Sequence, residues 1–250
     1  MPALSPRKPI FEARRLGGAV LKGVLIDWGG VLTTSLTESL VEWIEADRID
    51  PRHYREVMRA LVTQAYGAGG EAGAGSVVEN PIHALERGEI PILEFERDLA
   101  ARLLTLDGGP PEADGLLTRM FSGFRPVEEM NEMLRLARVA GLSTCLVSNS
   151  WGDHYTREGW EAIFDAVVIS GEVGMRKPEE RIFHHALGLL ALEPGQCVFV
   201  DDIEENITAA RAVGLVGVHH TDPVATIAEM ERLFGLPLRA ARSAEQPPGR

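Results

Sequence analysis

The sequence predicts an α/β fold, a doubly wound parallel sheet with helices on both faces and an inserted helical domain. Two patterns carry this prediction. Short apolar runs alternate with segments of helical periodicity, as in strands that are joined by right-handed crossovers. Between residues 35 and 125 the alternation stops and helical patterns follow one another. The chain has 250 residues, 45% of them apolar, which is enough for a sizeable core.

Five apolar runs predict the strands of the sheet. They are residues 23–27, 142–147, 166–169, 197–200 and the weaker run 215–218. Polar residues close or follow the first four runs. Because ligands of such sheets bind outside the carboxyl ends of the strands, we expect Asp27, Ser148 and the pair Asp201-Asp202 to lie together.

Helical periodicity accounts for most of the rest. The predicted helices of the insertion are 37–47, 51–66, 80–87, 91–104 and 111–121, several with Pro near the start, and the later ones include 127–140, 178–190 and 203–213. Residues 67–75 contain five glycines without the Gly-Lys-Ser/Thr ending of a nucleotide-binding loop. We therefore expect a flexible loop there.

These elements predict four regions of the chain. They are an N-terminal extension (1–20), polar and irregular, a sheet domain (21–34 and 126–238), a helical insertion (35–125) and a disordered tail (239–250). The insertion follows the first strand, so it is expected near the carboxyl edge of the sheet, where it could act as a lid.

The charge balance argues against some classes of partner. The chain carries 25 basic and 37 acidic residues, a net charge of −12, and no basic block, so we expect no nucleic-acid partner. No apolar run approaches the roughly 18 residues of a membrane helix, and no signal peptide is recognisable. The sequence predicts a cytoplasmic protein, a monomer or homodimer, with no membrane partner.

Asp27 is the first candidate for chemistry. It ends an apolar strand, and the following Gly29 and Gly30 leave its carboxylate with little steric cover. Such a carboxylate can attack phosphorus or an alkyl carbon, or it can bind a metal. A turn-forming or helix-capping Asp is the alternative interpretation of this residue alone.

Ser148 and Lys177 are candidates for binding an anion. Ser148 offers a hydroxyl, and backbone amides at a helix start after it could bind a phosphate oxygen, although a capping serine is the alternative. Lys177 precedes Pro178, the expected start of a helix, and its charge could neutralise a nucleophile and a phosphoryl group together. A surface lysine is the alternative for Lys177, and we expect the neighbouring Arg176 to face solvent.

Asp201 and Asp202 predict a cation site. Two adjacent acids at the end of a buried strand are unfavourable unless a cation is present. Oxygen ligands without a His or Cys cluster favour Mg²⁺. A helix cap before residues 203–213 explains one of the two acids.

In this order the residues resemble the four motifs of the haloacid dehalogenase superfamily, with the resemblance extending over about residues 22–235. The matching segments are Asp27-Trp28-Gly29-Gly30-Val31-Leu32, Ser148-Asn149-Ser150, Lys177-Pro178, and Asp201-Asp202 with Asn206. The insertion between the first two looks like the small helical cap of one subclass, and the sheet domain looks like its Rossmann-like core.

The resemblance implies a role for each matching residue. Asp27 would attack a phosphoryl group, and water would hydrolyse the aspartyl-phosphate, while Lys177 offsets negative charge. Ser148 and the amide of Asn149 would hold phosphate oxygens. Mg²⁺ would be bound by Asp27, Asp202 and the backbone carbonyl of Gly29, supported by Asp201 and Asn206.

Gly29 departs from the family pattern, in which most phosphatases carry a second, general-acid Asp at this position. General acid-base assistance typically contributes about 10²- to 10⁴-fold, so its absence weakens the case for a fast phosphatase. We still predict Mg²⁺-dependent hydrolysis of a small organic phosphate monoester, with a sugar phosphate preferred on resemblance alone. The alternatives are a 2-haloacid dehalogenase-like hydrolase, since halide leaves without a proton, and a non-catalytic binding or regulatory protein.

Three further residues are predicted to contact substrate, a small phosphorylated metabolite. Tyr66 ends a helix of the insertion beside the glycine-rich loop, and Trp151 and His154 follow the second motif. His154 is also a candidate substitute acid. The alternatives are an ordinary amphipathic-helix residue for Tyr66 and a structural histidine for His154.

Overall fold

The computed structural model describes residues 15–16, 19–66, 80–152 and 155–239. The glycine-rich loop 67–75 lies outside the described residues, as does the predicted tail beyond Arg239. The side chains of residues 15, 16, 19 and 64–66 lie outside them too, although the backbone there is assigned to strands or a helix.

A five-stranded parallel sheet forms the centre of the molecule, which confirms the predicted α/β class. The described strands are β1 (Arg15–Leu16), β2 (Ala19–Val20), β3 (Gly23–Ile26), β4 (Ser143–Ser148), β5 (Ala166–Ile169), β6 (Cys197–Asp201) and β7 (Val216–His219). The order across the sheet is β5-β4-β3-β6-β7. The first apolar run of the sequence is thus the central strand, and its neighbours are the strands that lead to Ser148 and Asp201.

Helices cover the sheet and form the insertion. They are α1 (Leu36–Ala46), α2 (Pro51–Tyr66), α3 (Pro81–Glu86), α4 (Ile92–Arg102), α5 (Leu116–Met120), α6 (Glu128–Val139), α7 (Ser170–Val173), α8 (Glu180–Leu190), α9 (Glu204–Val213) and α10 (Pro223–Phe234). Helix α5 is shorter than predicted. Gly115 precedes it with a φ of 69°, a left-handed conformation that cannot continue a right-handed helix from residue 111.

Alternate residues of the central strand pack into different cores. Val24 and Ile26 join one apolar cluster with helices α6 and α10, and Leu25 joins another on the opposite face with α8 and α9. Since the strand is buried on both faces, it is continuously apolar until Asp27. Asp27 therefore lies at the edge of the sheet where the carboxyl ends of the parallel strands meet.

The helical insertion, called the cap from here on, has an apolar core of its own. Trp43, Leu99 and Met120 belong to this cluster. The chain enters and leaves the cap side by side, because the amide of Thr34 donates to the carbonyl of Arg125 at 2.8 Å. The cap is therefore a separately packed unit that is anchored directly after the first motif.

The described residues of the N-terminal extension form paired strands. Strands β1 and β2 pair antiparallel, with Arg15 opposite Val20. The expectation of irregular structure is thus wrong for these four residues, because their backbones pair as two short strands. In the described part of the chain, no helix has both the length and the apolar character needed to cross a bilayer.

Candidate active site

Three carboxylates converge at the carboxyl edge of the sheet, as the strand pattern predicted. Ile26 pairs with Val200 across β3 and β6, so the residues that follow, Asp27 and Asp201, come side by side. Carboxylate oxygens of Asp27, Asp201 and Asp202 lie within 4.8 Å of one another. Asp27 and Asp201 are buried, whereas Asp202 lies at the exposed side of the group.

Lys177 lies between two of these carboxylates. Its Nζ is 2.6 Å from Oδ1 of Asp27 and 2.7 Å from Oδ2 of Asp201, and the side chain is only 1% exposed. The alternative of a surface lysine is therefore wrong. Burial opposes the charged amine, but the two carboxylates outweigh it and raise the pKa of Lys177, which keeps it protonated.

The surroundings of Asp27 raise the pKa of its carboxyl group. Burial raises its pKa, Lys177 lowers it, and the neighbouring Asp201 and Asp202 raise it again, to about 7. The fold therefore keeps a carboxylate in surroundings that disfavour its charge, and further positive charge nearby would favour the ionised form.

Asp201 is fixed by hydrogen bonds from the helix that follows it. Its Oδ1 accepts from the backbone amide of Ile203 at 2.8 Å and from Nδ2 of Asn206 at 3.0 Å. Asp201 thus holds the turn before α9 in place and pairs with Lys177 at once. The geometry fits the supporting part predicted for Asp201 and Asn206.

Gly30 leaves room for Asp202. Gly30 has a φ of 76°, and a Cβ atom built on it would lie 2.5 Å from Oδ2 of Asp202. A side chain at this position would be strained and would also collide with the carboxylate. The glycine after Gly29 is therefore explained by the close approach of the two motifs.

Asn149 holds the backbone of Lys177 in place. Its Oδ1 accepts from the amide of Lys177 at 2.8 Å, and its Nδ2 donates to the carbonyl of Lys177 at 3.0 Å. The predicted helix start at Pro178 is wrong, because α8 begins at Glu180 and Glu179 is its N-cap residue. Lys177 is thus positioned by the second motif rather than by the start of a helix.

Ser148 ends β4 with its hydroxyl beside another hydroxyl. Its Oγ shares a hydrogen bond of 2.8 Å with the Tyr155 hydroxyl. No helix begins in the described residues 149–152, so the expected helix start is wrong for this segment. The amide of Ser150 donates instead to Oγ of Ser170 at 2.8 Å, which holds the loop against the start of α7.

The donor set fits a magnesium ion. Mg²⁺ binds oxygen ligands, often one or two carboxylates together with other oxygens, and carboxylate oxygens of this kind cluster here. Asp27 and Asp202 could supply carboxylate ligands to the ion, and the resemblance to the family implies the carbonyl of Gly29 as a further ligand.

The cap contacts the core through a buried acid. Glu86, at the end of α3, accepts from the Arg176 guanidinium and from Nε1 of Trp151, the latter at 3.1 Å. The side chains of Glu86 and Arg176 are only 2% and 6% exposed. The expectation that Arg176 faces solvent is wrong, because the cap covers it and supplies its counter-charge.

Two further contacts strengthen this connection. Arg87 pairs with Glu179 at 3.2 Å. A Cβ atom on Gly88, whose φ is 69°, would lie 2.6 Å from the carbonyl oxygen of Gly171. The loop after α3 therefore packs backbone to backbone against the core beside the third motif.

The predicted substrate contacts differ in what the structure says of them. The ring of Trp151 packs edge-on against Phe95 and Phe121 of the cap, so it supports the contact between cap and core, and substrate contact stays a prediction. The side chain of Tyr66 and all of His154 lie outside the described residues.

Sequence reasoning missed Tyr155 and Glu86. Tyr155 lies in an irregular segment, where no periodicity indicates which way a side chain points. Glu86 is an acid at the end of a short cap helix, and its spacing does not distinguish a buried acid from an exposed one. An ionisable residue on an otherwise apolar helix face would be the only available signal.

Comparison with known proteins identifies the family. Residues 21–214 match the family model of haloacid dehalogenase-like hydrolases. The chain belongs to this family and is a hydrolase.

Curated relatives include a sesquiterpene phosphatase from Aspergillus oryzae, which is 33% identical over 156 residues, or 60% of this chain and 77% of that protein. The mouse acyl-CoA dehydrogenase family member 10 is 27% identical over 89% of this chain, which spans 20% of that relative. The mouse N-acylneuraminate-9-phosphatase is 43% identical over a shorter stretch, 22% of this chain and 23% of that protein.

Solved structures share the fold. A HAD-like hydrolase from Porphyromonas gingivalis matches with a TM-score of 0.58 and 19% identity, over 86% of this chain and 99% of that one. A HAD family enzyme from Bacteroides thetaiotaomicron, crystallised with magnesium and inorganic phosphate, matches with a TM-score of 0.56 and 20% identity, over 80% and 94% of the two chains.

Proposed function

We propose that the chain hydrolyses small organic phosphate monoesters with Mg²⁺, through an aspartyl-phosphate on Asp27. The observation that carries the proposal is the charge of the buried cluster. Three carboxylates face one ammonium group, which leaves an excess of two negative charges when all are ionised. A divalent cation would balance this excess, and the buried carboxylate could then approach an anionic phosphate.

The residues of the chain divide the reaction between them. Asp27 attacks phosphorus, the ester oxygen departs with the bonding electrons, and water then attacks the aspartyl-phosphate and restores the carboxylate. Lys177 offsets charge on the nucleophile and the transferred group, and Ser148 with the amide of Asn149 binds phosphate oxygens. When bound to Asp27, Asp202 and the Gly29 carbonyl, Mg²⁺ supplies electrostatic stabilisation to both anions.

Gly29 stands where most phosphatases of the family have the acid that protonates the leaving group. The nearest atom to a Cβ built on Gly29 is Cζ of Phe124, at 3.9 Å, so an apolar ring of the cap lies next to this position. The leaving oxygen would take its proton from water, from the substrate or from His154, the substitute acid that the sequence predicts.

The names of two relatives support phosphatase chemistry over the alternatives. One is a sesquiterpene phosphatase and one an N-acylneuraminate-9-phosphatase. A dehalogenase does not require the cation that the buried acids favour. The choice of a sugar phosphate as substrate rests on resemblance and stays a prediction.

A screen of phosphate esters tests the proposal. Phosphate release is measured from aryl, alkyl, sugar and terpenoid monophosphates with Mg²⁺, and chloride release from a 2-chloro acid is measured in parallel. We expect phosphate release by the wild type and none by Asp27→Asn. Chloride release that needs no metal would favour the dehalogenase, and a blank in both assays would favour the binding protein.

A further inference from the structure

A cavity of about 250 Å³ lies between the cap and the core beside the candidate active site. The cap contributes Leu85, Ile90 and Ile92, and the core contributes Ile169 at the end of β5. Ile92 is 41% exposed, so part of its apolar surface is open to contact with a ligand. The lining is therefore mainly apolar and is shared between the two parts of the fold.

The cavity borders the predicted phosphate site through one residue. Tyr155 lines the cavity, while its hydroxyl is 2.8 Å from Oγ of Ser148. The ring of Tyr155 also packs edge-on against Trp28, which follows Asp27. Tyr155 is thus shared by the predicted phosphate site and the cavity, which makes the two sites neighbours across one side chain.

Three of the polar side chains that line the cavity already have partners. Arg157 and Glu172 pair with each other at its rim, and the hydroxyl of Tyr155 pairs with Ser148. A polyhydroxylated group placed here would lose water and would have to compete with these pairs for hydrogen bonds, at a cost for each hydroxyl left unmatched. An apolar group has no such cost and gains from leaving water.

We propose that this cavity is a subsite for the hydrocarbon part of the substrate, and that the substrate class is a phosphate monoester of an apolar alcohol. The inference rests on the proposed phosphatase function. The cap residues Leu85, Ile90 and Ile92 determine specificity by contacting the chain, while the groups at the sheet edge bind its phosphate.

Binding of alkylphosphonates tests the subsite apart from turnover, because these compounds carry a phosphate-like head that is not hydrolysed. Methyl-, butyl- and octylphosphonate are titrated calorimetrically into the full chain with Mg²⁺. We expect affinity to rise with chain length by up to about fourfold per methylene until the cavity is filled. The heat capacity of binding should become more negative along the series.

Two neighbouring substitutions separate the cavity from general effects. Ile92→Asn places a polar group at the rim, and we expect it to weaken octylphosphonate binding by about fivefold or more without affecting methylphosphonate. Leu93→Asn is the matched control, because Leu93 is 40% exposed on the same helix turn and does not line the cavity. It should change neither affinity.

The outcomes distinguish this inference from the proposed function. Equal affinity for all chain lengths, equal effects of the two substitutions, or no binding of any phosphonate would overturn the subsite. Phosphate release from phenyl phosphate by the same preparation tests the catalytic proposal independently. Chain-length-dependent binding without such turnover would keep the subsite and contradict the phosphatase.

Discussion

Two adjacent residues, Arg176 and Lys177, enter two buried charge clusters of different balance. Arg176 points to the cap, where one guanidinium meets one carboxylate, Glu86, which also accepts from Trp151. Lys177 points to the sheet edge, where one ammonium meets two carboxylates and a third lies nearby. The first cluster balances its charge with protein groups, whereas the second carries an excess of negative charge.

The difference in charge balance distinguishes a contact that stabilises the fold from a site that can carry out chemistry. A buried ion pair whose charges balance needs no further ion, and its loss costs stability. A buried cluster with excess negative charge costs free energy until a cation or a proton neutralises it. We therefore assign cap attachment to the balanced cluster and cation-assisted chemistry to the unbalanced one. The following predictions test this assignment, from the largest expected effect to the smallest.

Replacing the nucleophile should have the largest effect. We expect Asp27→Asn to lower phosphate release by about 10⁴-fold or more, since the covalent step is lost. The folded state should be little affected or slightly stabilised, because burial and the neighbouring acids already raise the pKa of Asp27. Asp98→Asn, on the exposed face of α4, is the control and should leave both the rate and the thermal midpoint unchanged. Near-normal turnover by purified Asp27→Asn would refute the covalent mechanism.

Removing the two neighbouring cations should distinguish the clusters directly. Lys177→Met should lower activity by about 10²- to 10³-fold, and Arg176→Met should lower it less. Each should lower the free energy of unfolding by about 3–5 kcal/mol, since a buried carboxylate loses its partner. Added Mg²⁺ should restore part of the lost free energy of unfolding of Lys177→Met and none of that of Arg176→Met. Denaturant unfolding with and without Mg²⁺ measures this, and an equal response of both variants would end the distinction.

The contact between Glu86 of the cap and Arg176 should contribute more to the free energy of unfolding than a surface ion pair does. Glu86→Ala is expected to destabilise the fold by about 3 kcal/mol or more, because Arg176 stays buried without its carboxylate. Glu42→Ala, which removes a pair between side chains that are 61% and 55% exposed, should cost less than about 1 kcal/mol. Chemical denaturation compares the two. Similar losses would show that the buried pair does not hold the cap.

Restoring the family's acid should have the smallest effect. Gly29 has ordinary backbone geometry with space around it, so Gly29→Asp should fold. We expect about tenfold faster hydrolysis of an alkyl phosphate, whose leaving group needs a proton, and little change for an aryl phosphate. Gly29→Asn is the control that adds bulk without an acid. An equal gain from both variants would mean that proton donation is not what the wild type lacks.

The sheet and its polar edge could be predicted because they follow from periodicity and topology. Asp27, Ser148 and Asp201 end parallel strands, and such strands bring their carboxyl ends to one edge whatever the loops do. Arg176 could not be assigned in the same way. It lies in an irregular turn, and neither its burial nor its opposite direction from Lys177 follows from a repeat.

The cap shows the same limit. Its helices follow from apolar spacing, but the contact of Glu86 with the core depends on how two separately packed units meet. The shortened α5 depends on the conformation of Gly115 rather than on its neighbours' periodicity. Tyr155 approaches Ser148 through a loop. Contacts between the cap and the core, and contacts made by loop residues, therefore could not be predicted from the sequence.

Metal removal tests the central claim most directly. Phosphate release from an aryl phosphate is measured on the wild type after chelation and again after Mg²⁺ is added, with thermal unfolding followed in both states. We predict that activity is lost on chelation and returns with Mg²⁺, and that the unfolding midpoint rises when Mg²⁺ is added. Activity that is indifferent to the chelator would contradict it.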